Sequence, residues 1–117
     1  MKKPEWLDLP EDHDYPAALS YLLLVMSPEE AAATVAALRD APVSHFKAKD
    51  ICRASGLPLL GPENAHVAKN LNKVQSGKRL SPVLLVRGAP MIIADGYHRT
   101  CSVHHLDEDA VVPCKIA

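Results

Sequence analysis

The chain has 117 residues, 48% of them apolar, and a formal charge of −1 from 13 Lys+Arg against 14 Asp+Glu. That size fits one domain and supplies enough apolar mass for a core without metal or disulfide staples. The even charge balance argues against a protein that lives on the DNA backbone, and the 4% aromatic content against a base-stacking surface for single strands.

Residues 1–16 hold three prolines and five acidic residues and read as an extended arm, with Trp6 packing it onto the domain. A helix is expected over 17–26. Ser27-Pro28-Glu29-Glu30 then has the signature of a helix start, with Ser as cap, Pro first and Glu third. The Ala-rich run carries that helix to Leu38, and Asp40-Ala41-Pro42 ends it. Val43 to Phe46 suits a short strand, and 47–55 a helix stopped by Gly56. In 63–76 the residues Val67, Leu71 and Val74 recur at helical spacing before Gly77. Pro82 to Val86 is a continuous apolar run, as in a strand covered on both faces. Met91 to Ala94 follows as its hairpin partner, 97–106 as a helix and 111–116 as a last strand. The class is α+β, a small mixed sheet with helices and an N-terminal helical extension. Within one compact domain, residues 1–42 form the arm and extension and residues 43–117 the main body.

Cys52, Cys101 and Cys114 are odd in number and lack a CxxC pair, which favours reduced thiols and a cytoplasmic location. The start carries no apolar leader, and the stretch from Tyr21 to Met26 is far too short to span a bilayer, so no membrane role is expected.

The chemistry concentrates at Asp95-Gly96-Tyr97-His98-Arg99. A buried strand that stops at Asp-Gly and turns at once into a helix leaves unpaired N–H groups at the positive end of the helix dipole. Such a turn suits an anion. Gly96 lets a ligand approach the backbone. Arg99 offers a planar fork for phosphate, His98 can move a proton near neutral pH, and Asp95 can cap the helix or act as a base. Two residues able to carry positive charge sit where the dipole disfavours them, which points to an anionic partner. His66, Lys69 and Lys73 share one side of the preceding helix, followed by Lys78 and Arg79. A solvated face explains that helix by itself; together with the turn it suggests a convergent basic pocket.

The segments 80–86, 92–99 and 112–116 resemble the ParB/sulfiredoxin superfamily, through a Pro-hydrophobic strand, a strand ending in a Gly-x-His-Arg type turn, and a closing strand near a Val-Pro pair. The resemblance covers roughly residues 43 to 117. It implies a nucleotide-handling fold acting on ATP, CTP or ADP, with Mg2+ as an accompanying ion. Carried over, Gly96, His98 and Arg99 match the phosphate-binding turn, with Tyr97 inside it, and His66, Lys69 and Lys73 fall on the helix that lines the nucleotide site. Asp95 and His98 are then the candidate catalytic residues. Tyr97 stands where sulfiredoxins place their catalytic cysteine, which excludes sulfinate reduction. No helix-turn-helix follows, so a centromere-binding role is not expected.

Two function classes follow. One is phosphoryl transfer or nucleotide hydrolysis, on a second substrate that the sequence does not identify. The other is a non-catalytic module that senses a nucleotide or docks a protein, with the helices of 17–40 as the surface for a partner or a homodimer. A metal site from His98, Cys101 and His105 on one helix face is a third geometry, against which stands the simpler reading of Cys101 and Cys114 as buried apolar residues.

Overall fold

A computed structural model describes residues 2–117. Helix α1 (Asp14–Leu22) begins three residues earlier than its composition suggests, because Pro16 falls in the first turn, where its missing N–H costs nothing. The arm expectation therefore fails for its last residues. The helix also stops at Leu22 rather than at 26. Leu24 and Val25 donate to the carbonyls of Tyr21 and Leu22 in a tightened last turn, and Pro28 then forces Ser27 into extended backbone.

Helix α2 (Pro28–Asp40) has the expected cap, with Ser27 Oγ accepting from Glu30 N at 3.2 Å. Strand β1 (Ser44–Lys47) leads into α3 (Ala48–Ser55), which Gly56 ends in the left-handed conformation at φ 66°. Helix α4 (Ala65–Gln75) starts after Asn64, whose side chain accepts from the amides of His66 and Val67. Strands β2 (Val83–Val86) and β3 (Ile92–Asp95) form the expected antiparallel hairpin. Helix α5 (Tyr97–Leu106) and strand β4 (Val111–Ile116) complete the chain.

The sheet order is β1-β4-β2-β3, with β4 parallel to β2 and antiparallel to β1. The α+β class and the mixed sheet are as the sequence suggests. Side chains alternate across β2: Val83 and Leu85 enter a core with α3, α4 and α5, while Leu84 enters a second core with Tyr15, Ala18, Leu22, Ala31, Val35 and Leu38. Helices therefore cover both faces of the sheet, and each fully buried Leu contributes about 1.5–3 kcal/mol. Helices α1 and α2 supply most of the second core, so the N-terminal extension is integral to the fold. The arm is tied down where Leu80 N donates to Glu5 O and Leu7 N to Leu80 O, both at 2.8 Å, with Trp6 packed on the first core. No helix among the described residues is long and apolar enough to cross a membrane.

Candidate functional site

The sheet delivers β3 to the start of α5 through Gly96, at φ 108°. A Cβ at this position would lie 2.5 Å from Val83 Cγ1 and 3.0 Å from the Arg99 guanidinium, so only glycine lets β2, β3 and α5 approach so closely. No side chain caps α5, which leaves the amides of its first turn without a side-chain acceptor. A groove of about 420 Å³ opens over this turn. Its walls are Ala17 and Tyr21 of α1, Leu57 of the loop after α3, Ile93 and Ala94 of β3, and the turn residues Asp95 to His98.

Arg99 does not face this groove as a free fork. Its Nη2 lies 3.2 Å from Asp95 Oδ2 and 3.7 Å from Asp14 Oδ2, and it donates to Pro82 O at 3.4 Å. Asp14 is 3% exposed, and the Ser81 hydroxyl donates to its Oδ2 while accepting from Glu11 N. Nε of Arg99 is buried without an acceptor. The guanidinium thus links α1, β3 and the residues that enter β2. Burial pushes the Asp95 carboxyl above its ordinary value and the Arg99 charge opposes that rise, while the Asp14 carboxylate adds to it.

His98 meets His66 instead, with ring centroids 4.7 Å apart and planes tilted by 45°, and Tyr97 flanks it at 5.3 Å. Partial burial and the neighbouring imidazole hold His98 below its ordinary pKa. The Tyr97 hydroxyl donates to Pro58 O at 2.5 Å and so pins the loop after α3 against the turn. The Ser102 hydroxyl is 2.7 Å from His98 O and 3.2 Å from Val67 O, a bridge between α5 and α4 directly behind the two histidines.

No protein-family model, curated protein or solved structure matches this chain.

The geometry brings Asp95, Gly96, Tyr97 and His98 to one groove and places His66 against His98. It does not bring Lys69 or Lys73 there: neither lines the groove, and the convergent basic pocket reduces to the histidine pair beside the α5 amides. Lys69 and Lys73 lie farther along α4, three and seven residues beyond His66. Cys101 and Cys114 are buried, and among the described residues no group of three His, Cys, Asp or Glu side chains gathers to hold a metal. Asp14 and Ser81 belong to the site although sequence reasoning passed over them. In the sequence Asp14 is one of five acidic residues in a stretch that reads as an arm, and Ser81 precedes a strand, so neither carries a signal of its own.

Chemically, the arrangement offers backbone donors and a dipole for an anion, a His98 imidazole whose charged form burial disfavours, and an apolar wall for the rest of a ligand. Asp95 is held by Arg99, so its carboxylate orients the turn more readily than it reaches a substrate.

Proposed function

We propose that the groove at the α5 N-terminus binds the phosphate of a nucleotide, with the nucleoside lying along Tyr21 and Leu57. The observation that carries this reading is the uncapped first turn of α5, entered through a left-handed glycine and facing a groove of ligand size. His98 supplies a donor or acceptor at the phosphate, and Mg2+ arrives on the phosphate oxygens, keeping its waters as that ion prefers. If the nucleotide turns over, His98 is the group free to move a proton. Asp95 is engaged by Arg99.

A specific observation favours a second reading, a binding module without turnover. The one arginine of the turn is spent on two carboxylates of the same chain, so the transition-state charge of phosphoryl transfer would meet no free guanidinium there.

The test is thermal unfolding with ATP, ADP, CTP and GTP, each with Mg2+ or with EDTA, on the wild type and on His98→Ala. Ligand at 100 times its dissociation constant adds about 2.7 kcal/mol, a rise of several degrees for a domain of this size. A nucleotide-specific rise that shrinks in His98→Ala supports the site, and product analysis then separates enzyme from sensor. No rise with any of the four nucleotides overturns the reading.

A further inference from the structure

We propose that His66 and His98 form a two-imidazole site for a borderline divalent ion of the Zn2+ or Ni2+ class, leaving its remaining coordination positions open to water or an anion. The two residues come from different helices, and each is the second residue of its helix. Their ring centroids are 4.7 Å apart. Two imidazoles bound to one tetrahedral zinc at Zn–N distances of about 2.0–2.1 Å hold their ring centres roughly 5 Å apart. The observed spacing is therefore close to that of a chelating pair.

Three further observations support the pair. Neither imidazole makes a hydrogen bond or ion pair with another described residue, so no protein group occupies the ring nitrogens. The helices are fixed behind the rings, because the Ser102 hydroxyl contacts both His98 O and Val67 O; ligands held on packed helices keep their geometry without the metal. Both rings stand at the positive ends of helix dipoles, in the first turns of α4 and α5, so an ion held between them lies within reach of an anion bound at the α5 amides. The same dipoles oppose a bare dication. The open positions answer this: an anionic co-ligand at the uncapped α5 amides offsets the charge.

The site is open because no third His, Cys, Asp or Glu gathers with the pair among the described residues. A closed structural zinc site has four protein ligands, and this one has two. Nitrogen ligands also separate it from Mg2+, which takes oxygen.

The experiment titrates Zn2+ alone into the full chain, with no nucleotide present, so its result is independent of the thermal-shift test. Wild type, His66→Ala, His98→Ala and His13→Ala are compared, with unfolding midpoints recorded to show that each is folded. The expected result is one saturable site whose affinity falls by at least about tenfold in each of the first two variants and is unchanged in His13→Ala. His66→Gln and His98→Gln repeat the test with side chains of similar size if an alanine variant fails to fold. A second readout is the imidazole proton resonances, in which His66 and His98 shift together on adding Zn2+. Absence of saturable binding below millimolar Zn2+, equal affinity in the variants, or a shift confined to one ring overturns the proposal.

Discussion

Arg99 Nη2 lies 3.7 Å from Asp14 Oδ2 and 3.2 Å from Asp95 Oδ2, so the first residue of α1 and the last residue of β3 share one guanidinium. The pair is far inside the protein, with the Asp14 side chain 4% exposed and that of Arg99 17% exposed. Removing the cation leaves two carboxylates facing each other away from water, which costs far more than losing a surface ion pair. Arg99→Ala is expected to destabilise the fold by about 3–5 kcal/mol. Asp14→Asn should cost less, because Asp95 still neutralises the arginine and the amide can keep a bond with Ser81. Urea unfolding of both variants checks this, and equal losses would contradict it.

Gly96→Ala tests the turn separately. The residue is at φ 108°, and the added methyl would meet Val83 Cγ1 at 2.5 Å. Strain from the left-handed backbone and overpacking of β2 act together, and a loss of about 2–4 kcal/mol is expected. Because Val83 is wholly buried, the space can be restored only by shortening it. Val83→Ala in the Gly96→Ala background should therefore cost less than the sum of the two single changes, by a coupling that a double-mutant cycle in urea measures.

Local chemistry explains what was legible in the sequence. Ser27 and Pro28 start α2, Gly56 ends α3, and the apolar run through Val83, Leu84 and Leu85 forms a strand with a core on each face, because these signals act within a few residues. The Asp-Gly turn was readable for the same reason. The partnership of Asp14 with Arg99 and the meeting of His66 with His98 join residues distant in sequence, and no periodicity encodes them. Pro16 also concealed the start of α1, since a proline in the first turn of a helix looks the same in sequence as one in an arm. Lys69 and Lys73 are a different case. Their spacing with His66 places all three on one side of α4, yet of the three only His66 meets a residue of the turn, and neither lysine lines the groove.

The pH dependence of stability should carry a contribution from His98. Its folded pKa lies below the ordinary histidine value, held down first by burial and then by His66. The unfolded chain therefore binds the proton first as pH falls, and stability is lost from about pH 6.5 downward through the folded pKa. His98→Ala should flatten the unfolding free energy across that window. Asp95 has the opposite sign: its folded pKa is raised by burial, so it favours the folded state as pH falls towards the ordinary Asp range. Asp95→Asn should remove that compensation and leave the His98 loss steeper. Urea titrations between pH 4 and 8 on the two variants separate the contributions.

The thiols should be inert in the folded protein. Burial pushes Cys52 and Cys114 up to about 11, and the Cys101 thiol is raised as well. At pH 8 a thiol with that pKa is roughly one part in a thousand thiolate, and the thiolate is the nucleophile. Cys114 and Cys101 are in addition closed off from reagent, at 0% and 2% exposed. Cys52 is only partly covered, so access does not protect it and its ionisation must. Ellman's reagent at pH 8 should therefore titrate no thiol rapidly in the native protein and three after unfolding in guanidinium. Raising the pH towards 10 should accelerate Cys52 alone, in proportion to its thiolate fraction, while the two buried cysteines continue to react only as fast as the fold opens. A rapid reaction of one thiol at pH 8 would show that the α3 face carrying Cys52 is more open to water than its packing against α5 implies.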